Sequence, residues 1–273
     1  MTTGTAERPD TRPDPRIAER RQRVSADRRF RLRRRIAAAL VVASLVGLAW
    51  YVANSPVVDV DEVVINGVDD PARRAEVLAA SGITLGDPLL FVSLDGTAAA
   101  VEQVPWVDTV RVTRSWNPGV VEVSVTNREA IGVVADGDRW LLIDSSGRTV
   151  GTADDPAGLV VVGGVTPAPP GQRLAPVDLP LVGVLAALSE GVATRVAEVR
   201  PGSEGTVELV LRGSDVDGAV VVLGQPADLV PAEVATKVRT LANVLATVDL
   251  SCLATIDLRV SDTAVLTRGE SCA

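Results

Sequence analysis

Eighteen consecutive residues without a charge, Ile36 to Ala53 (IAAALVVASLVGLAWYVA), constrain this chain more than any other feature. As a helix rising 1.5 Å per residue they span roughly 27 Å, close to the hydrocarbon thickness of a bilayer. Trp50 and Tyr51 fall at the far end, where amphipathic rings prefer the headgroup layer. Arg31, Arg33, Arg34 and Arg35 stand directly before the run. Residues 1–35 hold twelve of the 27 basic side chains but only five of the 35 acidic ones, although the whole chain carries a net charge of −8. Such a split describes two environments rather than a fold. A buried core helix is rarely uncharged all round, and a cleaved signal peptide has a shorter apolar region with small residues near its cleavage site, where Tyr51 stands here. The expectation is a single retained transmembrane helix over 36–53. The four arginines set its topology, with the N-terminus cytoplasmic and the C-terminal domains outside. Residues 1–35 read as a disordered, Arg-rich arm. Beside a membrane its charge attracts anionic lipid, so no nucleic acid is expected as a partner.

The outer part is rich in valine and poor in aromatic residues, which favours strands. VVDVDEVVINGV reads as a strand ended by Asn66-Gly67, and Asp70-Pro71 as a helix start with Gly82 as its stop. A second helix begins near Asp95 and is ended by Pro105. TVRVTRSW and GVVEVSV alternate valines with polar residues around Asn117-Pro118-Gly119, the pattern of a hairpin with one wet face. Gly67, Pro105 and Trp106 are expected to be structural, the last as a core plug. Further on, RWLLID and Arg148–Val150 flank a turn, and Gly158–Val162 is a short strand. A helix covers 178–188, and residues 196–200, 206–212 and 219–223 form an antiparallel meander. Val230, Val234, Val238, Leu241 and Leu245 mark an amphipathic helix. Two strands follow, Ala254–Val260 and Ala264–Arg268.

Little catalytic chemistry is available. The chain has no histidine, which removes histidine-based acid–base work, Ser-His-Asp triads and zinc peptidase motifs. Lys237 is the sole lysine and lacks a serine three residues before it. Two cysteines without histidine make a poor metal site. LLIDSSG has one residue too many for an aspartic protease signature, and no second copy supplies the partner carboxylate. No enzyme, cofactor or metal is expected.

Several segments carry a family resemblance. Ile65-Asn66-Gly67, Leu89-Leu90 before Ser93-Leu94-Asp95, and VPWVDTVRVTRSWNPGVVEVSV resemble the POTRA domain of the bacterial division protein family FtsQ, also called DivIB. Asn127-Arg128-Glu129-Ala130 replaces that family's usual Glu-Arg-x-Pro. Trp140-Leu141-Leu142-Ile143-Asp144, Val222-Leu223-Gly224, Lys237 and Ile256-Asp257-Leu258-Arg259 resemble its β domain, and the Arg-rich arm looks actinobacterial. The resemblance implies an α+β chain: a transmembrane helix, a POTRA domain (β-α-α-β-β) over 57–127, and a mainly antiparallel β domain with two helices over 128–273. It implies a non-enzymatic divisome scaffold in the plasma membrane at the division septum. Its implied partners are FtsB/DivIC-like and FtsL-like bitopic proteins, other divisome components and the septal peptidoglycan synthase complex. A POTRA-bearing transport or envelope-assembly factor is the rival reading, opposed by the lack of a long β-barrel.

In the family, a segment of FtsB joins the terminal edge strand. By position that implies contacts at Val260, Ala264, Val265, Leu266 and Thr267. A three-residue loop, Ser261 to Thr263, would set Val260 opposite Ala264 and Cys252 opposite Cys272. That register would allow a disulfide outside the cytoplasm, with a pair of free thiols as the alternative.

Overall fold

The computed structural model describes residues 33–48, 50–51, 59–116, 118–156, 158–213 and 218–269. Helix α1 covers 33–48 and continues at 50–51, with Arg33, Arg34 and Arg35 exposed on its first turn. Among the described residues no helix is long and apolar enough to cross a membrane. Arg31 and positions 49, 52 and 53 of the expected span lie outside the described residues, as does the arm over 1–32.

The next unit is assembled from local signals. Strand β1 (Glu62–Asn66) ends at Gly67, whose φ of +83° suits only glycine without strain. A Cβ there would run into the carbonyl of Val125. Asp70 caps α2 (Pro71–Ser81) by accepting from the Ala72 N–H at 2.9 Å, and Gly82 closes it in the left-handed conformation. Ser93 caps α3 (Leu94–Val101). This helix closes at Val101, four residues before Pro105, so the proline sits in the following turn and does not itself stop the helix. Strands β2 (Val107–Trp116) and β3 (Gly119–Asn127) form the expected hairpin. β3 lies centrally in the order β1-β3-β2, parallel to β1 and antiparallel to β2. Val121, Val123 and Val125 on β3 are buried with Val77, Leu89, Val101 and Val107. Trp106 joins this core at 8% exposure, its Nε1 donating to Glu76 at 2.8 Å and its ring lying under the Arg73 guanidinium.

A nine-stranded sheet follows, in the order β12-β11-β10-β9-β8-β7-β4-β5-β6. Its strands are β4 (Gly132–Asp136), β5 (Arg139–Ile143), β6 (Thr149–Ala153), β7 (Val160–Val162), β8 (Val196–Pro201), β9 (Val207–Leu211), β10 (Val220–Gly224), β11 (Leu253–Asp257) and β12 (Val265–Arg268). The expected antiparallel meander is β8-β9-β10. Three pairs are parallel, β4 with β7, β7 with β8 and β10 with β11, so the sheet is more mixed than the sequence suggested. Strand β4 and the short helix α5 (Glu190–Ala193), beside α4 (Leu179–Ala187), add to the elements expected from the sequence. Parallel pairing needs a crossover, and α6 (Pro231–Thr247) supplies the one between β10 and β11. Leu181, Val184 and Leu185 of α4 share one core with Val234, Val238 and Leu241 of α6 and with Val199, Leu209, Val221 and Ile256 of the strands.

Arg128 stands where the two units meet. Its Nη1 lies 3.2 Å from Asp108 and 2.9 Å from Asp144, and its Nε donates to the Val107 carbonyl. Burial pushes the Asp144 carboxyl up, but hydrogen bonds from the Ser146 hydroxyl, the Arg148 N–H, the Arg128 side chain and the Ser146 N–H hold it below the ordinary aspartate range.

Candidate interaction edge

Strand β12 pairs with β11 on one side and, among the described residues, has no strand beyond it, so one row of its N–H and C=O groups has no described strand partner. Its side chains alternate: Val265 and Thr267 are exposed, while Leu266 packs against the core. Ala264 is half-buried beside that core, and Val260 stands in the preceding loop at 69% exposure. Four of the five expected contact residues therefore form one continuous segment along the edge, and Val260 is set apart from them. Val260 and Val265 both border a surface cleft of about 510 Å³, together with Asp257, Arg259 and Thr263.

The register differs from the sequence expectation. Asp257 lies opposite Val265, Ile256 opposite Leu266 and Thr255 opposite Thr267, with an irregularity between Leu253 and Thr255. The expected pairing set Val260 opposite Ala264, two positions out of step, and its three-residue loop is in fact the longer connection from Leu258 to Ala264. Lys237 supplies the physical reason. Its ammonium, on α6, donates to the carbonyls of Leu258 at 2.6 Å and Arg259 at 2.8 Å, while the Leu258 N–H bonds to Val222 on β10. Thr240, one turn along the same helix, donates to the Ser261 carbonyl. The backbone from 258 to 261 is thus bound to the helix and to β10, and cannot continue the ladder with β12.

Lys237 is 1% exposed, and Glu233 lies 3.8 Å from its ammonium. The chain's only lysine is thus a buried brace. The sequence did contain a signal: Lys237 lies three residues after Val234 and four before Leu241, on the apolar stripe of the helix. The pairing of Asp257 with Arg259 has no signal in the sequence beyond their spacing of two. The guanidinium takes both Asp257 oxygens, with a closest contact of 2.6 Å. The Arg259 side-chain bond is the main cause that holds Asp257 below its usual range.

Cys252 precedes β11, with φ of +59°, and its carbonyl accepts from the Gly269 N–H at 2.9 Å. No cysteine among the described residues is free. Cys272 lies outside the described residues.

Among the described residues no cluster of three or more acidic or cysteine side chains could hold a metal. The arrangement at β12 offers backbone pairing, a flanking cleft and an exposed valine face, which suit an extended peptide.

Comparison with known proteins agrees with both units. Residues 58–128 match the family model of the FtsQ-type POTRA domain, and residues 132–259 match that of the FtsQ/DivIB C-terminal region. The chain is 31% identical over 180 residues to cell division protein FtsQ of Mycobacterium leprae, covering 65% of this chain and 49% of that protein. It is 30% identical over 189 residues to FtsQ of Mycolicibacterium smegmatis, covering 68% and 53%. To FtsQ of Streptomyces griseus it is 32% identical over 173 residues, covering 59% of this chain and 82% of that protein. The alignments with the two mycobacterial relatives span about half of their length.

Proposed function

The chain belongs to the FtsQ/DivIB family of cell division proteins, and from that premise we propose that it is a non-enzymatic, single-pass scaffold of the divisome. Residues 36–53 would anchor it, with 1–35 cytoplasmic, a POTRA domain over 57–127 and a β domain over 128–273 outside. The uncharged run and the arginines before it support this topology, and the two separate hydrophobic cores support the division into domains. Through the β domain it would join FtsB/DivIC-like and FtsL-like proteins, and so help control septal peptidoglycan synthesis.

The observation that carries the partner reading is the outer edge of β12, which no strand among the described residues pairs, kept short and apart from the 258–261 loop by Lys237 and Thr240. An incoming strand would pair with Val265–Arg268 and pass the cleft beside Val260 and Arg259. Cys252 and Cys272 would close a disulfide that holds the chain end. The bond from Gly269 sets Cys252 opposite Gly269 rather than opposite Cys272, against the register expected from the sequence, and brings the chain only to within three residues of Cys272.

The test is co-purification of the full chain with an FtsB-like partner in detergent. Leu258 donates to Val222 on β10, so Asp257 and Val265 face each other and the outward donors of β12 are those of Leu266 and Arg268. Arg268→Pro removes one of these from the edge. Loss of the partner by a folded variant is expected, whereas unchanged capture would move the site elsewhere. Mass spectrometry of the exported protein should find no free thiol. A fluorescent fusion should form a midcell band.

A further inference from the structure

Four exposed apolar side chains gather at one end of the POTRA domain: Leu85 at 68% exposure, Leu90 at 47%, Phe91 at 58% and Trp116 at 50%. They come from two separate loops, and hydrogen bonds tie both loops to the stretch that enters the domain. On one side the Gly86 N–H bonds to the Val60 carbonyl, the Val60 N–H bonds to Asp87, and Asp59 bridges to Pro88. On the other, the Asp61 N–H bonds to Gly119 at the hairpin tip, and the Gly119 N–H returns to the Asp61 carboxylate. A Cβ at Gly119 would collide with the Asp59 carbonyl, so the approach depends on glycine. Arg114 joins the two loops, donating to the carbonyls of Leu89, Leu90 and Val92 while its guanidinium lies 4.8 Å from the Trp116 ring centre.

This end of the domain is also where the apolar N-terminal run arrives. The Trp50 and Phe91 ring centres are 6.4 Å apart. The opposite end of β2 carries Val107, whose carbonyl binds Arg128 at the junction with the nine-stranded sheet. Nine steps of strand separate Val107 from Trp116, roughly 30 Å at 3.3 Å per residue. The exposed apolar tip therefore faces the end of the proposed anchor, and the β domain is attached at the far end.

We propose that this tip is a second membrane contact: Leu85, Leu90, Phe91 and Trp116 lie in the headgroup layer of the outer leaflet beside the anchor, and hold the POTRA domain upright on the bilayer. The proposal rests on the reading of 36–53 as a transmembrane anchor. A lipid surface is the favoured occupant because the patch is continuous with Trp50 and combines two aromatic rings with an arginine. That composition suits the interface, where one part of a side chain is apolar and the other wet. The carboxylates at the tip keep their charge but have protein donors: Asp61 accepts from the Gly119 N–H, and Asp87 accepts from the Thr84 N–H at 2.8 Å.

The test uses the full chain labelled with 5-fluorotryptophan in lipid nanodiscs. The four tryptophans give four fluorine resonances, assigned by single Trp→Phe changes. Addition of a lipid carrying a nitroxide at its headgroup should remove intensity from Trp50 and Trp116 and leave Trp106 and Trp140 unaffected. Phe91→Glu should restore the Trp116 signal while Trp50 stays broadened. An unaffected Trp50 would overturn the anchor reading itself. A broadened Trp50 with an unaffected Trp116 would overturn the membrane tip alone. Broadening of Trp106 together with Trp116 would mean that the sheet lies flat on the bilayer, which also overturns the proposal. Loss of Trp116 intensity that Phe91→Glu fails to reverse would remove Phe91 from the contact.

Discussion

Arg114 in the POTRA domain and Lys237 in the β domain solve the same problem under different conditions. Each gathers carbonyls from a backbone segment outside the α-helices and strands: Leu89, Leu90 and Val92 in one case, Leu258 and Arg259 in the other. Arg114 works from a half-wet surface, with Trp116 covering one face of its guanidinium. Lys237 is almost wholly buried and reaches its carbonyls from inside a helix face. Water can replace Arg114 but has poor access to the carbonyls that Lys237 holds. The comparison teaches that the position of a cation, more than its number of hydrogen bonds, decides what its loss costs.

The largest effect should come from Lys237→Met. It leaves two carbonyls without their donor, and the expected loss is about 2–4 kcal/mol in a urea titration. Amide exchange over 258–268 should quicken more than elsewhere. If Arg114→Met loses as much, burial is not what separates the two sites.

Arg128→Ala should fall between them. It breaks two ion pairs and a backbone contact at the junction, from a side chain 19% exposed, for an expected loss of about 1–2 kcal/mol. Limited proteolysis should then cut between residues 127 and 132 while both cores stay protected. Resistance there equal to the parent's would mean that other contacts carry the joint.

Arg114→Met should cost about 1 kcal/mol, because water can reach the freed Leu90 carbonyl. The change should appear as faster exchange near 89–92 rather than as unfolding of the sheet.

The smallest effect concerns acid. The folded carboxyl of Asp144 lies below its unfolded value, so its contribution is fully present above the ordinary aspartate value of about 3.9 and is lost as pH falls through the lower folded value. In Asp144→Asn that part of the acid dependence should be missing from a denaturation midpoint followed between neutral pH and pH 2. An unchanged profile would assign the acid response to other carboxylates.

Elements with local punctuation were legible in the sequence. Asp70-Pro71 and Gly82 bracket α2, the alternating valines around Asn117-Pro118-Gly119 mark the β2-β3 hairpin, and spacings of three and four mark α6. Strand β4 was not legible: GVVAD has no alternation, and it gains its place by pairing with β7 and β5, residues distant in sequence. The edge strand was placed correctly in order but two positions out in register. A hairpin register inferred from loop length assumes that nothing else competes for the loop's carbonyls, and Lys237 competes for them.

What the sequence determined alone were the properties set by neighbours along the chain: the charge step before Ile36, helix caps, strand alternation and the absence of histidine chemistry. Tertiary structure decided which groups meet across the chain. It brought Lys237 under Leu258, Arg128 between Asp108 and Asp144, and two apolar loops together at the tip of the POTRA domain. The physical reason is that a buried cation or an unpaired carbonyl is costly only once water has been removed, and which groups lose their water is fixed by packing between distant segments.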